Sequence, residues 1–258
     1  MMTKLTDGIK YLEKYNHIKL PLDYQGFNAF RALMNITMPY NLSDDFYKLQ
    51  DEIIKTEYQN RKLIALKNLK KLADNIYLYK GDITLLKADA IVNACNSKLL
   101  GCFKPLHSCI DNAIHSYAGL QVRRDLLKIM DYQGYSEPNG KVKVTKGYNL
   151  PAKYIFHTVG PIVYENVGQQ ECQDLTSCYL SCFNKAIEYD LNNIAFPCIS
   201  TGIFNFPNKE ACAIAYATIT EALKKATKQI NVIFVVFKEE DYLLYEEEAI
   251  KHVSTIDV

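Results

Sequence analysis

Apolar residues along the chain follow two rhythms, and the change falls near residue 74. Before it, they recur at helical spacing. Residues 27–36, FNAFRALMNI, carry them three and four apart, as one buried helix face requires. Residues 40–64, YNLSDDFYKLQDEIIKTEYQNRKLI, predict a second helix. Ser43 suits its N-cap, and acidic residues fill the first turn, where the helix dipole favours them. Within it, Gln50, Asp51 and Glu52 read either as a charged functional group or as a solvated helix face.

Beyond residue 74, short apolar runs alternate with amphipathic stretches. NIYLYKGDI, ADAIVNA, KVKVTKGYNL, YIFHTVGP, NIAFPCIS and NVIFVVFKEED read as strands, the first ending in a turn at Lys80, Gly81 and Asp82. CIDNAIHSYAG reads as a helix closed by Gly119, DLTSCYLSCFNKAIEYD as a helix of about four turns, and NKEACAIAYATITEALKKATK as a long amphipathic helix. This alternation predicts an α/β fold whose sheet is covered on both faces. In such folds ligands bind beyond the carboxyl ends of the strands. Four loops qualify: Gly81-Asp82, the stretch after AIVN, residues 201–204, and the chain from Lys238 onward.

The chain has 258 residues, 48% hydrophobic and 23% charged, enough for one large domain or one domain with a sizeable appendage. A formal net charge of +1 gives no electrostatic argument for nucleic acid or membrane as a partner. No apolar run reaches the ~18 residues of a membrane span, and the polar N-terminus does not read as a secretory signal. A cytoplasmic protein is expected, with its eight cysteines reduced. Cys95, Cys178, Cys182, Cys198 and Cys212 sit among apolar neighbours and read as core, and Cys172 as part of a polar loop.

Chemistry concentrates in CNSKLLGCFKPLHSCIDNAIH. Cys102, His107 and Cys109 have the spacing Cys-x4-His-x-Cys, with no fourth Cys or His nearby. Two thiolates and an imidazole suit Zn²⁺, and three protein ligands leave one position open, as catalytic zinc sites do. The competing reading is two core thiols flanking a loop histidine. Lys104-Pro105 favours an exposed turn. Asp111 fits the first turn of the next helix, as a cap or as a functional carboxylate. Asn93 and Asn96 follow a strand, where asparagine commonly satisfies its own turn. Ser200, Thr201, Gly202, Ile203 and Phe204 join a strand to a helix through a glycine, so backbone N–H groups there suit phosphate. Neither G-x-x-x-x-G-K-[ST] nor G-x-G-x-x-G occurs, so the ATPase and Rossmann readings lack their fingerprints.

Read in order, GDIT (81–84), DAIVNACN (89–96), IDNAIHSYAG (110–119), LPAKYIFHTVGP (150–161) and AFPCISTGIFNFP (195–207) resemble the macrodomain family of ADP-ribose-binding modules. The resemblance implies a three-layer α/β/α sandwich with a mixed central sheet over residues 74–258, preceded by a helical N-terminal extension, residues 1–73. Where typical macrodomains carry GGGGV, this chain has GCFKPLHSC. That replacement is similar to the zinc-dependent macrodomains of bacteria, in which the two cysteines and the histidine hold a catalytic zinc. RALMNITMP (31–39) and LQDEII (49–54) resemble the N-terminal extension of that subfamily.

The resemblance implies roles. Asp82 would bind the adenine amine, with Ile83 adding a backbone donor. Asn96 would orient the distal ribose, and Asp111 would stand by the bond to be cut. Ser200, Thr201, Gly202, Ile203 and Phe204 would hold the pyrophosphate, Phe204 standing where many relatives have tyrosine. Phe237 would stack near the adenine, unless it is a core strand residue. Cys102, His107 and Cys109 would bind Zn²⁺. The implied activity is hydrolytic removal of ADP-ribose from proteins modified at Asp or Glu. The implied partners are a sirtuin-type ADP-ribosyltransferase and a lipoyl-carrier protein as target. A non-catalytic ADP-ribose reader, an O-acetyl-ADP-ribose deacetylase and a structural zinc module share these residues.

Overall fold

A computed structural model describes residues 2–254 of the chain. Three helices come first: α1 (Met2–Asn16), α2 (Gly26–Ile36) and α3 (Asp44–Gln59). Ser43 Oγ accepts the Phe46 N–H at 3.2 Å and caps α3 as its sequence predicts. Phe30 and Leu33 of α2 meet Leu12, Phe46 and Ile53 in a small core of their own. A Cβ on Gly8 would lie 2.6 Å from Ile53 Cδ1 and 2.9 Å from Phe30 Cε2, so only glycine lets α1 approach this closely.

The strands are β1 (Lys70–Ala73), β2 (Ile76–Lys80), β3 (Ala90–Cys95), β4 (Val142–Lys146), β5 (Tyr154–Val159), β6 (Asn193–Pro197) and β7 (Asn231–Val236). They form one sheet in the order β1-β2-β7-β6-β3-β5-β4. The five inner strands run parallel, and β1 and β4 pair antiparallel at the edges. The sheet is mixed, as expected.

Alternation along the strands sorts side chains between two layers. Val92, Phe156, Phe196 and Phe234 face α6 (Gln169–Glu188), α7 (Asn208–Lys225) and α8 (Glu239–Ser254). Ile91, Ile155, Ala195 and Ile233 face α4 (Ile110–Ala118) and α5 (Leu120–Gln133). The result is the three-layer α/β/α sandwich. Leu120 of α5 also belongs to the N-terminal helical core, which therefore sits against the α4–α5 layer.

Three elements depart from the sequence pattern. Helix α5 buries Gln121 and Arg123 beside Leu120, Val122 and Leu126, which blurs its apolar period. Helix α8 begins within the segment that reads as strand, because its buried face carries Asp241 and Glu248 as well as Tyr245 and Ala249. Strand β1 is short and half exposed. Cys172 lies within α6 rather than in a loop. Gln50 is fully buried; it accepts the Leu120 N–H at 2.8 Å and donates to Gln121 Oε1 at 2.6 Å, so it docks α3 on α5. Among the described residues no helix is long and apolar enough to cross a membrane.

Candidate active site and metal centre

The parallel strands β2, β3, β5, β6 and β7 all end on one side of the sheet, and the singled-out loops gather there. Beyond β2, Asp82 caps a short 3-10 turn, its Oδ1 accepting Thr84 N–H and Oγ–H at 2.8 and 2.7 Å. Its Oδ2 pairs with Arg61 Nη2 at 2.5 Å. Ile83 is buried. Beyond β7, Phe237 is 82% exposed. It is not a core residue, and it follows directly on Val236, whose carbonyl accepts the Gly81 N–H at 2.9 Å.

Beyond β6, residues 200–206 fold into a tight turn. Phe206 N–H donates to Ser200 O and Asn205 N–H to Gly202 O, both at 3.0 Å. Among the described residues, the N–H groups of residues 201–204 find no acceptor. Such a run of free amides favours an anion. Ser200 holds φ 66°, and its buried Oγ has no hydrogen-bond partner. A Cβ on Gly160 would lie 2.1 Å from that Oγ, so glycine after β5 makes room for the loop. Ile203 is 71% exposed and Gly202 open.

Beyond β3 lies the cysteine loop. The candidate ligand atoms of Cys102, His107 and Cys109 lie within 4.8 Å of one another. The loop is strained: Leu99, Phe103 and Leu106 have φ of 61°, 50° and 51°, values costing on the order of 1 kcal/mol or more for non-glycine residues. Cys109 is the N-cap of α4, its Sγ accepting the Asn112 N–H at 3.4 Å. Burial, with the nearby Cys102 thiol adding, pushes the Cys109 thiol up to about 12. His107 Nδ1 is buried without a partner. Two crowded sulfurs and an orphaned imidazole nitrogen fit a soft or borderline divalent cation, which would compensate all three. This group of residues can hold a metal ion.

Two residues after Cys109, Asp111 is 4% exposed. Its Oδ1 accepts Asn93 Nδ2 at 2.9 Å and lies 3.3 Å from His115 Nε2. Its Oδ2 is buried and unpartnered. Burial opposes the carboxylate, but His115 and the Asn93 amide outweigh it and hold its pKa below the usual value. One acceptor oxygen of Asp111 is free. Behind it, Asn93 Nδ2 also meets His157 Nδ1 at 3.2 Å, and His157 Nε2 meets Thr145 Oγ1 at 2.9 Å. The Thr145 hydroxyl donates to Lys146 O at 3.2 Å, so it accepts the proton on His157 Nε2. Burial pushes His157 down to about 3, with His115 adding to the effect.

Asn96 spends its side chain on its own loop, Nδ2 donating to Gly101 O at 3.1 Å and Oδ1 accepting Lys98 N–H at 3.0 Å. Asn93, not Asn96, is the asparagine that touches Asp111. Asn93, Asn112, His115 and Arg61 also shape the site. Asn93, Asn112 and His115 show in the sequence only as polar residues on otherwise buried faces, as in IDNAIH, and Arg61, in the turn after α3, carries no such signal.

Residues 92–215 match the Macro domain family. A Staphylococcus aureus protein-ADP-ribose hydrolase is 46% identical over 223 residues, covering 86% of this chain and 84% of its own length. A Treponema medium protein-ADP-ribose hydrolase is 40% identical over 238 residues, covering 90% and 91%. The structure of an Oceanobacillus iheyensis macrodomain with ADP superposes with a TM-score of 0.65 at 32% identity, covering 72% of this chain and 96% of that one. The chain belongs to the macrodomain family and is a hydrolase.

Proposed function

We propose that this protein removes ADP-ribose from ADP-ribosylated proteins by hydrolysis, with zinc held by Cys102, His107 and Cys109. The observation that carries the proposal is the placement of the Cys-His-Cys group within one helical turn of a buried Asp111 whose Oδ2 is free. The similarity to protein-ADP-ribose hydrolases and to a macrodomain with ADP supports the substrate.

On this reading Asp82 accepts the adenine amine, Ile83 adds its backbone N–H, and the exposed Phe237 stacks beside the ring. The free amides at Thr201, Gly202, Ile203 and Phe204 hold the pyrophosphate, with the Ser200 hydroxyl turned to the same ligand. Asn96 orients the distal ribose, trading one of its loop hydrogen bonds for the sugar. Asp111 Oδ2 positions the attacking water and takes its proton. Zinc, when bound by Cys102, His107 and Cys109, would supply Lewis-acid chemistry to this site. An ester to Asp or Glu of the target is the bond cut.

The resemblance to zinc-dependent macrodomains extends the proposal to residues 1–73 as an extension of a macrodomain at 74–258. It also extends it to a cytoplasmic setting, a sirtuin-type ADP-ribosyltransferase that the enzyme reverses, and a lipoyl-carrier protein as target. Eight free cysteines suit that reducing compartment. Release of ADP-ribose from an ADP-ribosylated protein tests the activity: turnover is expected, whereas binding of ADP-ribose without release would make the protein a reader.

A further inference from the structure

Asn112 donates to both sulfurs of the cysteine pair. Its backbone N–H meets Cys109 Sγ at 3.4 Å and its side-chain Nδ2 meets Cys102 Sγ at 3.5 Å. The same Nδ2 donates to Lys104 O at 2.9 Å, tying down the loop between the ligands. Asn112 is 1% exposed, and its amide is held from behind. Oδ1 accepts Ser116 Oγ at 3.3 Å and Arg31 Nη2 at 3.5 Å. Ser116 Oγ accepts Asn35 Nδ2 at 2.9 Å, and Asn35 Oδ1 accepts the Leu106 N–H, inside the cysteine loop, at 2.9 Å.

Arg31 and Asn35 lie one turn apart on α2, so the N-terminal helices reach the metal loop through two side chains. A third tie runs the other way. Arg123, fully buried, donates to Met34 O at 2.9 Å and Thr37 O at 2.5 Å, and its guanidinium lies 4.4 Å from the centre of the Phe103 ring. Sulfur accepts both N–H groups, so Asn112 fixes where the two sulfurs stand relative to each other. The loop itself holds Phe103 and Leu106 in left-handed conformations and needs outside support to keep that shape.

We propose that Asn112, backed by Ser116 and by Asn35 of α2, is a positioning residue for the Cys102–Cys109 sulfur pair, and that the N-terminal helices complete the metal centre. The proposal rests on the reading that Cys102, His107 and Cys109 hold a metal.

Zinc affinity of the full-length protein, read by competition with a chromophoric chelator, tests it. Asn112→Ala is expected to weaken zinc binding about 10–100-fold. Asn35→Ala and Ser116→Ala weaken it in the same direction. The Asn35→Ala/Asn112→Ala pair should fall short of the product of the single losses, because both act through one chain of bonds. Should Asn35→Ala fail to fold, Ser116→Ala, which removes only a hydroxyl, keeps the test open. Lowered thermal stability with unchanged zinc affinity in Asn112→Ala and Ser116→Ala would overturn the proposal while Cys102→Ala/Cys109→Ala still loses zinc. Equal zinc binding by wild type and Cys102→Ala/Cys109→Ala would instead overturn the metal reading beneath it.

Discussion

Arg61 Nη2 stands 2.5 Å from Asp82 Oδ2, so the residue expected to recognise adenine is held by a cation from outside the sheet. The same guanidinium lies 4.1 Å from the centre of the Tyr117 ring. With Thr84 on the other oxygen, the carboxylate is fixed before any ligand arrives. Arg61→Ala should raise the Kd for ADP-ribose about tenfold and cost about 1 kcal/mol of stability. Arg61→Lys should restore only part, because lysine lacks the planar fork. Calorimetry and urea unfolding measure the two effects; unchanged ADP-ribose binding would sever Arg61 from the site.

Asp111→Asn keeps volume and the contact with Asn93 while removing the charge and the proton acceptor. Turnover should fall about 10²–10⁴-fold, with ADP-ribose affinity changed only a few-fold. Steady-state kinetics on an ADP-ribosylated protein, beside calorimetry, would expose a purely structural Asp111 as an equal loss of both.

Gly202 offers a test of the proposed pyrophosphate contact at residues 200–204. A Cβ there would meet nothing within 4 Å, so Gly202→Val should leave stability within about 0.5 kcal/mol. A branched side chain among the free amides should lower ADP-ribose affinity about tenfold or more. An affinity equal to wild type would place the pyrophosphate elsewhere.

His157 gives the fold a pH dependence. Its folded pKa is pushed down to about 3 by burial, against about 6.5 unfolded. Between those values the unfolded chain binds a proton that the fold refuses. Stability contributed by the neutral ring is therefore full above pH 6.5 and is lost as pH falls, by up to about 1.4 kcal/mol per pH unit. Urea midpoints from pH 7 to pH 4 should fall less steeply in His157→Gln than in wild type; parallel profiles would contradict the assignment.

The legible parts of this molecule were those where one physical signal dominated. Strands β3, β6 and β7 are buried on both faces and read as continuous apolar runs, and Ser43 marks the start of α3. Helices α5 and α8 were hidden because Arg123, Asp241 and Glu248 put charge on buried faces. The cysteine loop was legible as chemistry, since Cys102, His107 and Cys109 fall within eight residues. Its support was not. Asn35 and Asn112 are 77 positions apart, and nothing in a linear pattern says that Asn35 reaches Ser116 and Leu106. Arg61 and Asp82 likewise meet only because Tyr58, in the last turn of α3, donates to Thr84 O and brings the end of that helix to the turn after β2.

Hydrolysis, as proposed, depends on a metal held by Cys102, His107 and Cys109. Full-length protein stripped of metal by a chelator, then restored with one equivalent of zinc, tests it most directly on an ADP-ribosylated protein. The stripped protein should be inactive and zinc should restore turnover, while Cys102→Ala/Cys109→Ala should stay inert with or without zinc. Hydrolysis at the wild-type rate by the stripped protein or by that double variant, with no metal bound, would contradict the account.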